Sequence, residues 1–319
     1  MNPGPAHLDC RSQPGSGCTA AEGSYLRILL TGAAGQVGVE FRRAASDLGE
    51  IKAISRAECD LADVEALRRL VRSTRPDAIV NAAAYTAVDK AESEPEQCYA
   101  ANAIAPGVLA EEAAAIGAAL IHYSTDYVFD GSKIGAYSED DRPCPMGEYG
   151  RSKLEGEKRI LASGARALIL RTSWVYGSHG RNFLLTILRL ARERPELRIV
   201  SDQWGAPTSA RQIAEASARI LAHPGSGRAG LDPGLYHMTA SGLTSWHGFA
   251  QAIVDRAHLT VPPAVLPIST AEYPTPARRP LNSALSNEKF AAAFGFRLRS
   301  WEEELSDVML EVRHPNAVS

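Results

Sequence analysis

The 319-residue sequence contains no apolar run long enough to cross a bilayer. Its opening stretch, MNPGPAHLDCRSQPGSGCTAAEGS, lacks the charged-then-apolar layout of a secretory signal. Pro, Gly and Ser dominate there, which predicts a disordered extension over residues 1–24. Cysteine is scarce: Cys10, Cys18, Cys59, Cys98 and Cys144 are scattered, odd in number and never in CxxC spacing. That argues against a disulfide framework or a cysteine zinc site and fits a reducing cytoplasm. Neither sign of charge is in excess, with a net −3 and a pI near 6.3, so no basic field exists to hold nucleic acid or an anionic membrane. The eight histidines show no HxxxH spacing, which predicts no metal site. No GxSxG elbow is present, and Ser124 lacks a triad partner. The acidic run Glu302-Glu303-Glu304 reads most simply as a solvated helix face.

What the chain does have is rhythm. From Tyr25 to about Trp174, short apolar strands (LRILLTG, IKAIS, DAIVNAAA, AALIHYST, RALILRTSW) alternate with helical stretches, including Gln36 to Leu48, Ala62 to Ser73 and an alanine-rich helix after the third strand. Strands separated by helices of this length call for a parallel sheet with right-handed crossovers. The expected fold is α/β, a Rossmann-type doubly wound sheet over residues 25–174. Beyond Trp174, helical pieces (Asn182 to Arg194, Ser209 to Ala222, Ser245 to His258) alternate with Pro- and Gly-rich segments. Residues 175–319 are therefore expected to form mainly a smaller, mixed substrate-binding lobe, with the chain crossing back to the first domain around 205–235.

The first strand runs into Thr31-Gly32-Ala33-Ala34-Gly35-Gln36-Val37-Gly38 and then a helix. Gly32 allows the sharp turn, Gly35 lets backbone approach a pyrophosphate, and Gly38 lets helix and strand pack closely, while the helix N-terminus offers free N–H groups. In this strand–turn–helix context the spacing predicts dinucleotide binding, with Gln36 and Val37 at the helix start. The second strand ends in Ser55-Arg56, where a ribose-binding carboxylate would otherwise sit. Arg56 can pair with a 2′-phosphate, favouring NADPH with NADH as the alternative, or it can be a solvated surface arginine. Asp60 and Leu61 are expected to flank the adenine. Ala82, Ala83 and Ala84 end the strand that passes under the cofactor, where small side chains leave room.

Tyr149 and Lys153 stand four apart on an expected helix and so share a face. A lysine ammonium near a tyrosine stabilises the phenolate and lowers the phenol's pKa, and it can also hydrogen-bond the nicotinamide ribose. At the end of the preceding strand the chain reads His122-Tyr123-Ser124-Thr125-Asp126-Tyr127. Thr125 can hold a substrate carbonyl between Tyr149 and the nicotinamide, with Ser124 as its rival. Tyr149 would then be the general acid of a hydride-transfer reduction.

With these residues in hand, the chain resembles the extended short-chain dehydrogenase/reductases, and among them the dTDP-4-dehydrorhamnose reductase family. The stretches that carry the likeness are LLTGAAGQVG, NAAAYTAVDKAESEPE, NAIAP, HYSTDYVFDG, YGRSKLEGE, RTSWVYG, DQWGAPTS and RRPLNSAL, in order from about Leu29 to Leu285. The resemblance implies reduction of the C4 keto group of a nucleotide-linked sugar, dTDP-4-dehydro-L-rhamnose, with Thr125, Tyr149 and Lys153 as the catalytic set. It implies that Thr86, Val88, Asp126, Tyr127 and Trp174 lie near the sugar. It also brings Pro207 and Thr208, with Arg279 and Asn282, to the nucleotide side. Trp174 can stack on a ring face and Arg279 can pair with a diphosphate. Some members hold Mg²⁺ between subunits on three glutamates. Glu40 and Glu311 match two of these, but Arg211 stands at the third, so no metal is expected, and a homodimer stays possible without that metal's support.

Two rivals share the fold. A nucleotide-sugar epimerase or dehydratase would show no net consumption of NADPH, and dehydratases commonly carry an Asp-Glu pair where this chain has Asp126-Tyr127. A binding role like that of the regulatory subunit of methionine adenosyltransferase would show as co-purification of a larger catalytic partner.

Overall fold

The computed structural model describes Met1 and residues 25–223 and 232–313. The disorder expected over 1–24 therefore falls outside the described residues, Met1 apart. β1 (Leu26–Thr31), β2 (Gly49–Ile54), β3 (Ala78–Asn81), β4 (Ala119–Thr125) and β5 (Arg166–Thr172) form one parallel sheet in the order 2-1-3-4-5, and strand Gly234–His237 extends it beside β5. β3 is buried along its whole length and β1 at all but one residue, as expected of strands covered by helices on both faces. One face carries Phe41, Leu30, Ile121, Ile213 and Phe290; the other carries Leu29, Leu67, Ile79, Leu109 and Ile160. The architecture is the doubly wound α/β fold that the alternation predicted.

Helix α1 (Gln36–Ala44) starts directly after the glycine turn and buries Gly38 and Phe41. It stops short of the expected Leu48, in a turn that leads into β2. Helix α2 (Val64–Thr74) is capped by Asp63, whose carboxylate accepts from the Ala66 N–H, and closes on left-handed Arg75.

The single alanine-rich helix expected after β3 is instead several pieces: Val88–Ala91, Pro95–Tyr99, a wide π turn Ala100–Ile104, and Ala105–Ile116. Pro106 carries no N–H to give to the Asn102 carbonyl, so the ladder loosens there. Helix Glu148–Ala162 fills the gap: a Cβ on Gly156 would lie 2.1 Å from the Asn102 carbonyl oxygen. This close crossing seats the helix that carries Tyr149 and Lys153.

The second lobe has a core of its own. Helices Phe183–Glu193, Trp246–Arg256 and Trp301–Arg313 bury Leu184, Ile187, Phe249, Ile253, Leu305 and Met309 around a parallel strand pair, Glu196–Val200 with Ala264–Ile268. Asn182, Ser209 and Ser245 cap their helices through side-chain oxygens. Glu304 departs from the solvated face expected of the acidic run. It is 1% exposed, accepts from Ser209 Oγ at 2.8 Å and pairs with Arg211. No helix among the described residues is long and apolar enough to cross a membrane.

Candidate active site

The chain switches direction in the sheet between β1 and β3, and open α/β sheets bind ligands outside the carboxyl ends of such strands. The glycine turn lies there. Gly32 has φ +72°, and a Cβ on it would lie 2.5 Å from the Ala83 nitrogen; a Cβ on Gly38 would lie 2.2 Å from the Gly32 oxygen. Only hydrogens fit at these two positions. Gly35 and Ala34 are exposed at the rim, where backbone N–H groups at the start of α1 face an incoming phosphate. The turn, the helix N-terminus and the small residues Ala82 and Ala83 therefore fit a dinucleotide. The Gln36 side chain also bridges to a distant segment. Its Oε1 accepts from Asn182 Nδ2 at 2.8 Å, tying the turn to the second lobe.

At the end of β2, Ser55 donates through N–H and Oγ to Glu58 Oε2 (2.8 and 2.9 Å), which holds that carboxyl below its usual range. Arg56 is exposed and pairs loosely with Asp60 at 3.2 Å. The Glu58 carboxylate thus folds back against the end of β2.

Helix Glu148–Ala162 presents Tyr149 and Lys153 on one face, as their spacing predicted. The Tyr149 ring meets Tyr127 edge-on, with centroids 5.6 Å apart. Burial, and next the Asp126 carboxylate, push the Tyr149 phenol above its ordinary range, while a hydrogen bond with Thr125 works the other way. This corrects the expectation that Lys153 lowers it: the lysine Nζ donates to the Tyr123 carbonyl at 2.6 Å and meets His122 Nε2 at 3.2 Å. Tyr149 is thus a firmly protonated acid. Lys153 is 2% exposed, and burial lowers it to about 8 against the upward pull of Glu157.

Thr125 and Ser124 separate cleanly. The Ser124 hydroxyl donates a hydrogen bond to Glu157 Oε1 at 2.5 Å, and Glu157 is held bidentately by Arg171 at 2.9 and 2.6 Å. Thr125, at the tip of β4, borders Tyr149 and Asp126 instead. The Asp126 carboxyl is raised to about 6 by burial, opposed by hydrogen bonds from Ser283 and Thr125, and its Oδ2 has no protein partner.

The remaining expected contacts divide. Thr86 is exposed and Val88 half-buried at the head of the segment after β3. Arg279 pairs with Asp89 at 2.8 Å and lies over the Tyr127 ring at 5.9 Å. Trp174, in the left-handed region at φ +50°, stacks one indole face on Trp246 at 3.6 Å. Pro207 and Thr208 are interior. Thr208 is 0% exposed, donates to the Ala206 carbonyl and accepts from the Ala240 N–H, so its hydroxyl is engaged within the protein. Asn282 likewise spends its amide on Lys133 O, Gly135 O and the Ala284 N–H. It lines a cleft of about 540 Å³ together with Trp204, Leu243 and Arg297. Sequence reasoning missed Asn81, His122, Asn102 and Glu157, because their partners lie on other strands and helices.

No group of His, Cys, Asp and Glu suited to a metal occurs among the described residues. Arg211 reaches Glu304 at 2.9, Asp307 at 3.2 and Glu311 at 2.6 Å. Glu40 faces Arg43 at 3.3 Å and His179 at 3.4 Å.

Comparison with known proteins places this geometry. The RmlD substrate binding domain family matches residues 26–314. The dTDP-4-dehydrorhamnose reductase of Burkholderia thailandensis is 49% identical over 285 residues, 86% of this chain and 95% of that protein. That of Escherichia coli K12 is 43% identical, over 92% of this chain and all of that one. The crystal structure of a dTDP-4-dehydrorhamnose reductase from Bacillus anthracis in complex with NADP superposes with a TM-score of 0.84 at 34% identity, covering 90% of this chain and 99% of that one. With the glycine cradle, the Tyr149–Lys153 helix and matches that run the length of both partners, this chain belongs to the dTDP-4-dehydrorhamnose reductase family.

Proposed function

We propose that this protein reduces the C4 keto group of dTDP-4-dehydro-L-rhamnose to give dTDP-L-rhamnose, using NADPH, with NADH as a second donor, and Tyr149 as proton donor. The observation that carries the reading is the grouping of Thr125, Tyr149 and Lys153 at the carboxyl edge beside the dinucleotide cradle, in a chain nearly coextensive with relatives named for that reaction. The bound nicotinamide supplies a hydride to the keto carbon. The chain's own residues must hold the sugar, deliver a proton to its oxygen and stabilise charge. Thr125 orients the carbonyl oxygen toward the Tyr149 hydroxyl. Tyr149, kept protonated by burial and Asp126, gives its proton to the forming alkoxide and becomes a phenolate. Lys153 lies one helical turn away and hydrogen-bonds the nicotinamide ribose, which positions the hydride donor. Arg279, half-buried over Tyr127, exchanges Asp89 for the substrate diphosphate.

The test is oxidation of NADPH on addition of enzymatically generated dTDP-4-dehydro-L-rhamnose. One NADPH consumed per sugar supports reduction; turnover without net consumption would indicate an epimerase instead. Tyr149→Phe should lower kcat by roughly 10²–10⁴-fold while leaving NADPH binding intact. Full activity in that variant refutes the proton-donor assignment even where the substrate is right.

A further inference from the structure

A hydrogen-bonded chain runs under the site from the glycine turn to the catalytic helix, and each link has a direction. The Thr31 hydroxyl donates to Asn81 Oδ1 at 2.7 Å, and the Ala83 N–H reaches the same oxygen at 3.3 Å. The Ala83 N–H can only donate, so it fixes which end of the Asn81 amide carries oxygen. The amide nitrogen then faces His122 Nδ1 at 3.0 Å. An amide NH₂ only donates, so Nδ1 must accept. His122 is 1% exposed, and burial, then the charge of Lys153, holds its imidazole far below the usual range, hence neutral. A neutral imidazole that accepts at Nδ1 carries its proton on Nε2. That N–H points at Lys153 Nζ, 3.2 Å away. An ammonium has donors only, so the contact opposes the charged lysine and favours the amine.

We propose that Asn81 and His122 are positioning residues that set the protonation of Lys153, through an imidazole locked with its proton on Nε2. This rests on the reading of Lys153 as a group of the active site. The other charged and titratable groups around the pair are few. Glu157, one turn on, is neutralised by Arg171 of β5. Cys98 approaches from helix Pro95–Tyr99, its thiol held up by burial. Tyr149 and Asp126 lie on the cleft side. None of these donates toward Nζ as His122 does. The consequence is a lysine whose charge is conditional: it is lost at a lower pH than that of an ordinary buried, carboxylate-flanked lysine. The alkaline limb of the rate profile is where that loss is read.

Two measurements test the proposal. In full-length protein with ¹⁵N-labelled histidine, the His122 ring at neutral pH should show a protonated Nε2 and a bare Nδ1; a proton on Nδ1 overturns it. This spectrum needs no turnover, so it stands or falls separately from the assigned reaction. Second, Asn81→Asp replaces the donor with an acceptor. The ring proton should move to Nδ1, Nε2 should accept from the ammonium, and the alkaline limb of kcat should rise by about one pH unit. A purely structural role for Asn81 would lower kcat at every pH and leave both the limb and the ring proton where they are, and that result refutes the proposal.

Discussion

Glu157→Ala tests the physical account of the site's foundation. The Glu157 and Arg171 side chains are 3% and 2% exposed, and their bidentate contact is joined by Ser124 Oγ. The guanidinium also lies over the Phe129 ring at 5.0 Å. In place, the pair offsets its own desolvation through close geometry and shared hydrogen bonds. Removing only the carboxylate leaves a guanidinium that cannot lose its proton, buried with no counter-charge. Breaking such a pair costs about 3–5 kcal/mol, which in a chain of this size lowers Tm by roughly 5–10 °C. The assay is paired thermal and urea unfolding of wild type, Glu157→Ala, Arg171→Met and the double variant Glu157→Leu/Arg171→Met. The double variant should recover most of the loss, because no lone charge stays buried. A loss below about 1 kcal/mol in Glu157→Ala would refute the reasoning, as would a double variant no more stable than the single one.

Two further outcomes are expected on the same physical grounds. The Asp126 carboxyl is raised to about 6 by burial, so the folded chain holds that proton more tightly than the unfolded chain does. Its contribution to stability is present below about pH 4 and is lost as pH climbs through about 6. Asp126→Asn should therefore raise unfolding stability near neutral pH, by an amount of order 2–3 kcal/mol, and leave it unchanged near pH 4; identical pH profiles for the two proteins would contradict this. In Gly38→Ala the added methyl would meet the Gly32 carbonyl oxygen at 2.2 Å. The turn must shift, and NADPH affinity measured by fluorescence titration should fall at least about tenfold, whereas an unchanged Kd would mean the turn does not hold the cofactor.

The sequence by itself determined what depends on local pattern. Alternating strands and helices dictated a parallel sheet, because parallel neighbours need crossovers and these crossovers have one hand. The glycine spacing located the phosphate cradle because each glycine answers a contact within one strand–turn–helix unit. Tyr149 and Lys153 were legible because four residues on a helix make one face. Tertiary structure decided whatever depends on partners far along the chain. It gave Thr208 and Asn282 structural work, since Ala240 and Lys133 reach them from distant segments. It buried Glu304 against Ser209 and Arg211, where sequence saw only an acidic run. It separated Thr125 from Ser124 by setting Glu157 under one and Tyr149 beside the other. It also turned Lys153 toward Tyr123 and His122, so that burial and Asp126, not the lysine, govern the Tyr149 phenol. A pKa is set by solvent exclusion and by charges a few ångströms away, and neither is written in the spacing of two residues on one helix.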